Sequence, residues 1–260
     1  MEEWATSREL ACDLHYRWDP PAPEAWRESR RECMSWVRSY LSTNRREITS
    51  WAQLKDAVAG GIVDDGGVIA RWLAIEPTFT PNPVPVWHST EALDAAAAWL
   101  AEHPRGVVWT EHRFFGQRLA ERTGLPYFGE QGTDARTGRF ILNKNQHPSI
   151  EGPCILSSQS NGEGRNLQWW HDMLFMTVPQ NPIDVEQQIA RLHRPGQKNA
   201  VRVWIWIGCF ELVAGYWLAR QGAEAIAARE GGAQRILYAT DLGMPSTEEI
   251  MRRGGPRWAK

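Results

Sequence analysis

Lysine is scarce in this 260-residue chain and stands only at Lys55, Lys144, Lys198 and Lys260. None of the four follows a glycine loop, and no Gly-x-x-x-x-Gly-Lys-Ser/Thr stretch occurs. A backbone cradle with a lysine for triphosphate oxygens is thus missing from these residues. Cysteine is sparse too. Cys12, Cys33, Cys154 and Cys209 are widely scattered, without zinc-ligand spacing or a disulfide framework, and read as reduced thiols. Long apolar runs are lacking: the longest, Val201 to Phe210, is broken by Arg202 and is too short for a bilayer. The acidic opening Met1-Glu2-Glu3 leads into no apolar segment, which argues against a signal peptide. These absences predict a soluble, cytoplasmic protein without membrane partners. No excess of one charge exists either. A net charge of −2 gives no global nucleic-acid signature, so any contact with DNA or RNA must be local or shared with another lobe.

What is present is tryptophan, 15 residues against 5 Tyr and 7 Phe. Indoles can stack on bases, but large amphipathic rings more often fill cores and interfaces. Residues 1–59 read as helical and polar. A helix is predicted over Glu24 to Leu41, after Pro20-Pro21-Ala22-Pro23. Gly60-Gly61 and Asp64-Asp65-Gly66-Gly67 read as loop, and Pro77, Pro81, Pro83 and Pro85 as an extended connector. A boundary near Val86 therefore divides a helical accessory or linker region, 1–86, from a second domain, 87–260. In the latter, helices at Thr90–His103, Phe114–Thr123 and Pro182–Arg194 alternate with strands at Gly106–Thr110, Pro126–Phe128, Cys154–Ser157, Met173–Val178 and Val201–Ile207. A further helix follows Phe210. Such alternation predicts an α/β fold with a parallel sheet covered on both faces.

The most informative window runs from Asn181 to Gln197. Asn181 suits an N-cap, Pro182 the first helical position, and Asp184 and Glu186 the positive end of the dipole. At helical spacing Val185, Ile189 and Leu192 form an apolar stripe, while Gln187, Arg191 and Arg194 align on the opposite face. By spacing alone that row is a solvated face whose last-turn cations complement the dipole.

The residues themselves say more. Gln187-x-x-x-Arg191-x-His193-Arg194-x-Gly196-Gln197 closely resembles motif VI of SWI/SNF-like superfamily 2 helicases. Upstream, Cys154-Ile-Leu-Ser-Ser158-Gln-Ser-Asn-Gly162-Glu-Gly164-Arg-Asn166-Leu167-Gln168 is similar to motif V, and Val107 to Thr110 with Glu111-His112-Arg113 is similar to motif IV. The matches keep the family order over roughly residues 105–207. Val178-Pro-Gln-Asn181-Pro182 only echoes the Asp-x-x-Trp-Asn-Pro stretch of eukaryotic remodellers.

The resemblance implies the C-terminal, RecA-like (phosphate-loop-NTPase-like, three-layer) lobe of a helicase or translocase, with a helical N-terminal extension. In that family ATP with Mg²⁺ lies between two lobes. Carried over by position, Arg194 is the candidate arginine finger and Arg191 a second phosphate or interlobe contact. Gln187, His193, Gly196 and Gln197 fall at the ATP or interlobe face. Ser158, Gly162, Gly164, Asn166 and Gln168 couple nucleotide to nucleic acid, DNA or RNA. Metal ligands are expected on the partner, an N-terminal helicase lobe on a separate chain, as in a split gene of a compact phage genome, so the chain alone is expected to lack ATPase activity. The alternative is a non-catalytic nucleic-acid-binding or regulatory module that docks on a helicase. A dinucleotide enzyme is disfavoured, because Leu167 occupies the third glycine position after Gly162-x-Gly164.

Overall fold

The computed structural model describes residues 2–44, 48–161, 165–232 and 234–238. The chain divides into two compact units, one of residues 16–85 and one of 1–15 with 86–260. In chain order α1 (Glu2–Leu10) precedes strand β1 (Leu14–Trp18), then helices α2 (Glu24–Thr43), α3 (Trp51–Ala59) and α4 (Val68–Ile75). Strand β2 (Pro83–Trp87) pairs with β1, so the chain leaves and re-enters the larger unit through one two-stranded ribbon.

The smaller unit has its own core of Trp26, Cys33, Val37, Leu54, Ile69 and Trp72, which corrects the sequence-based view of residues 1–59 as simply polar. The aromatic rings meet edge-on: Trp26 lies 5.0 Å from Trp72 and 5.2 Å from Phe79, centroid to centroid. Packing of this kind is favoured by the ring quadrupoles. Helix α4 went unanticipated, its eight residues being too short and too uniformly apolar to show a stripe. Its start is fixed by the buried Asp65 carboxylate, which accepts from the Gly67 N–H at 3.0 Å and the Ile69 N–H at 2.6 Å. That satisfies donors a helix start leaves unpaired. Asp65 therefore has a structural task.

The larger unit continues with α5 (Glu91–Glu102), β3 (Gly106–Thr110), α6 (Arg113–Thr123), β4 (Tyr127–Phe128), β5 (Cys154–Ser157), α7 (Ser158–Asn161), β6 (Asp172–Phe175), α8 (Pro182–Leu192), β7 (Arg202–Ile205) and α9 (Phe210–Glu230). The five strands from β3 to β7 form one parallel sheet in the order β4-β5-β3-β6-β7. Since side chains alternate along a strand, Val107, Trp109, Cys154, Leu156, Met173 and Phe175 share one face. They pack into a core with Val185, Ile189 and Leu192 of α8 and Tyr216, Ala219 and Ala223 of α9. Val108, Ile155 and Leu174 are buried on the other face, where α5 and α6 pack on the sheet. Helices on both faces of a parallel sheet give the three-layer α/β, RecA-like architecture expected from the alternating pattern.

Two details set this sheet. Asp172 is 2% exposed and paired: Arg202, its register partner on β7, donates to both carboxylate oxygens at 2.7 Å. Gly116 on α6 lies against the Tyr127 ring so closely that a Cβ would stand 2.4 Å from it. The first residues join this unit as well, since the Trp206 indole donates to the Ala11 carbonyl at 2.7 Å. Among the described residues no helix is long and apolar enough to cross a membrane.

Candidate functional site

Helix α8 carries Gln187 and Arg191 of the row singled out above, and Arg194 follows its end. The Asn181 side chain accepts from the Ile183 N–H at 3.1 Å and Pro182 takes the first helical position. Val185, Ile189 and Leu192 are buried, as the 3.6-residue period requires, and Gln188 is buried beside them. Gln187, Arg191 and Arg194 keep partial exposure on the other side. The helix closes at Leu192, two residues short of the expected end: His193 has a non-helical ψ of 77°, and a residue before proline, here Arg194, is pushed out of helical conformation. Arg194 turns back, its Nε donating to the Ala190 carbonyl at 3.2 Å. The guanidinium is held by its own helix end and remains partly open to solvent.

The residues after Arg194 form a staple. Gly196 adopts φ +96°, a left-handed turn that glycine takes without strain. The Gln197 amide nitrogen then reaches three carbonyls, Gln168 and Trp170 at 2.9 Å and Leu192 at 3.2 Å. A backbone bond from the Leu167 N–H to the Arg191 carbonyl, 2.9 Å, runs alongside. The segment resembling motif V is thereby fastened to the end of the segment resembling motif VI. Asn166 turns inward on that loop, its side-chain oxygen 3.4 Å from the Gln168 N–H, and the Gln168 side chain lies beside Gly196. Gly162 and Gly164 lie outside the described residues. His193 faces elsewhere: its Nδ1 accepts from Arg235 Nε at 3.0 Å, and Arg235 also pairs with Glu186 of α8.

A cleft of about 520 Å³ opens at the carboxyl ends of the strands, where ligands of open parallel sheets bind. Glu111 follows β3, Ser158 to Ser160 follow β5, Thr177 follows β6, and Asp184, Gln187 and Gln188 come from α8. Of the residues singled out from sequence, this cleft gathers Ser158 and Gln187. Arg191, Arg194, His193 and Gly196 are not among its lining residues. The structure adds Arg8, Thr177 and Gln188. Thr177 and Gln188 are 2% and 5% exposed, and among the described residues the Thr177 hydroxyl and the Gln188 carbonyl oxygen have no hydrogen-bond partner. Leaving such groups unsatisfied costs roughly 1–3 kcal/mol each, so each calls for a polar partner, water or ligand. No sequence signal gave Arg8, which lies more than a hundred positions from its partners.

Arg8 pairs with Glu111 at the cleft wall. Burial pushes the Glu111 carboxyl above its ordinary range, and the nearby Arg8 opposes that shift. His112 is pushed down to about 4, chiefly by burial. It is therefore neutral at pH 7 and its Nε2, 3.2 Å from the Arg8 carbonyl, is the protonated nitrogen.

No family profile matches the chain. Its curated relatives include the "Uncharacterized ATP-dependent helicase YqhH" of Bacillus subtilis (strain 168), 38% identical over 101 residues, or 38% of this chain and 18% of that protein. The "RNA polymerase-associated protein RapA" of Actinobacillus pleuropneumoniae serotype 5b (strain L20) is 45% identical over 62 residues, 24% of this chain and 6% of that protein. RapA of Vibrio cholerae serotype O1 (strain M66-2) is 30% identical over 95 residues, 34% of this chain and 9% of that protein. The chain thus spans less than a fifth of the length of these relatives. Among solved structures, the C-terminal part of the Fun30 ATPase domain aligns at TM-score 0.40 and 18% identity, over 48% of this chain and 44% of that one.

Proposed function

We propose that this chain, a relative of the SWI/SNF-like superfamily 2 helicases, acts as a C-terminal helicase lobe that completes an ATP site with a phosphate-loop lobe absent from its 260 residues. The observation that carries this reading is the two-faced α8. Its apolar stripe anchors it to the sheet, while Gln187 and Arg191, with Arg194 just beyond its end, keep partial exposure. A guanidinium in that position stabilises negative charge that grows on transferring phosphoryl oxygens, an effect worth roughly 10³–10⁵ in rate. Arg194 is the proposed finger and Arg191 the second cation, with Gln187 ordering the approach. The Gln197 and Gly196 turn holds this end of the helix to the Asn166–Gln168 loop. Nucleotide chemistry at α8 is then mechanically linked to that loop. His193 supports the helix through Arg235.

In the same proposal the carboxyl-end cleft receives a nucleic-acid backbone, through Ser158 and the Thr177 hydroxyl. Hydroxyls and backbone amides commonly hold phosphate oxygens. The residues fit the phosphate end of ATP, since guanidiniums are its usual partners. In this reading the Mg²⁺ ligands belong to the other lobe, as the resemblance to the helicase family implies.

The test mixes purified chain with an N-terminal helicase lobe from a relative and measures Mg²⁺-dependent ATP hydrolysis. Stimulation by the chain, reduced about 10³-fold in Arg194→Ala with the fold retained by circular dichroism, is expected. Stimulation that survives Arg194→Ala would instead mark a non-catalytic docking module, and hydrolysis by the chain alone would overturn the split site.

A further inference from the structure

A second groove lies at the opposite edge of the sheet, at the amino ends of the strands. It is about 350 Å³ in volume and is lined by Arg105, Gln168, Trp169, His171, Lys198 and Asn199, with the Gly196-Gln197 turn in its wall. Arg105 leads into β3, His171 into β6, and Lys198 and Asn199 into β7. The topology thus gathers residues spread over nearly a hundred positions.

Three features make this a binding surface. First, its charge is of one sign. Arg105 and Lys198 are exposed and have no ion-pair partner among the described residues, and no Asp or Glu lines the groove. Asp172, beside His171, has both oxygens occupied by Arg202 and lies 3.9 Å from His171 Nε2. In a chain of net charge −2, an unneutralised cationic pocket is a local departure that favours anions. Second, it presents an aromatic surface. Trp169 is 39% exposed, with the His147 ring 5.4 Å away at a tilt of 49°, whereas the other tryptophans among the described residues are buried or only partly exposed. An exposed indole beside cations is the pairing that holds an aromatic base and its phosphate. Third, the wall is rigid, because the three Gln197 hydrogen bonds fix the turn that closes it.

We propose that this groove binds a nucleoside phosphate, with the base against Trp169 and the phosphate between Arg105 and Lys198. The ligand is either a free nucleotide or one residue of a single strand, since both present the same base and phosphate. His171, Gln168 and Asn199 supply polar contacts to sugar or base edges. The site does not rest on Arg194 as a finger, so either proposal can fail alone.

The probes are mant-ATP and a 5′-fluorescein dT12 oligonucleotide, each titrated with full-length chain at low and moderate salt and followed by anisotropy. All substituted positions are at the surface, so folding should survive; circular dichroism checks it. Trp169→Ala is expected to weaken binding roughly tenfold. Arg105→Ala with Lys198→Ala should weaken it at least tenfold and flatten its salt dependence. Trp169→Phe should restore most of the affinity. Binding of mant-ATP alone identifies a free nucleotide, and binding of the oligonucleotide, with or without mant-ATP, a strand. Absence of binding by both probes, or binding lost only in Arg194→Ala, overturns the site.

Discussion

Single side chains in this protein show how position overrides residue type. His112 would ordinarily titrate near neutrality, but burial holds it neutral down to about pH 4. The unfolded chain binds a proton near pH 6.5, so below that pH the unfolded state takes up protons that the folded state refuses. Stability is therefore fully present above pH 6.5 and declines as pH falls toward 4. A drop of about 2 kcal/mol between pH 7 and pH 5 follows from the shift. Glu111 acts in the opposite sense, because its raised pKa means that protonation relieves a burial cost. Urea unfolding of wild type and His112→Asn at the two pH values isolates the histidine: the variant should lose most of the excess sensitivity, and equal slopes would refute the assignment. Gly116 makes the parallel case for size. Alanine in a helix interior is normally better than glycine by about 1 kcal/mol, yet here its methyl would meet the Tyr127 ring at 2.4 Å. Gly116→Ala should therefore destabilise by roughly 1–3 kcal/mol. Gly116→Ala combined with Tyr127→Leu should recover much of that loss in thermal melts.

At the scale of elements, what could be read from sequence was what repeats locally. Strands β3 and β5 lie where their apolar runs predicted, and α8 starts where Asn181 and Pro182 signalled. Those features depend on neighbours in sequence, whose spacing is visible. The end of α8 was misplaced because the proline constraint reaches back beyond Arg194 to His193. Arg8 at the cleft wall and Arg235 beside His193 were invisible, since each is placed by a partner more than forty residues away. The resemblance to motif VI singled out α8 and the turn after it, but the structural task of its last glutamine came only from geometry. Gln197 is not read as a ligand contact here. Its amide spans three carbonyls and ties the Gln168–Trp170 loop to the end of α8. Gln197→Ala should cost roughly 1–3 kcal/mol by stranding those carbonyls and should also lower any stimulation of a partner's hydrolysis. Gln197→Glu, which cannot donate, should do no better. Amide hydrogen exchange should localise the loosening to residues 166–171 and the end of α8. Loosening spread evenly over the sheet would argue against a staple.

For the whole molecule, the two units differ in what stabilises them. The unit of residues 16–85 depends on an aromatic cluster around Trp26, which is 3% exposed and packs on Trp18, Trp72 and Phe79. The other unit depends on aliphatic and aromatic side chains covering both faces of a five-stranded sheet. Separate cores of unequal size are expected to unfold as separate cooperative blocks, so one two-state transition should not describe this protein. Trp26→Ala removes a large ring from the smaller core and should cost that unit about 3–5 kcal/mol. Phe128→Ala, in the sheet, should cost the larger unit a similar amount. Hydrogen exchange across a urea series distinguishes the blocks. In Trp26→Ala the amides of α2 and α4 should lose protection at lower urea while those of β3 and β6 hold; Phe128→Ala should reverse the pattern. If both substitutions shifted every amide together, the cores would be one cooperative structure. The helical unit could then not loosen while the sheet keeps α8 and its arginines in place.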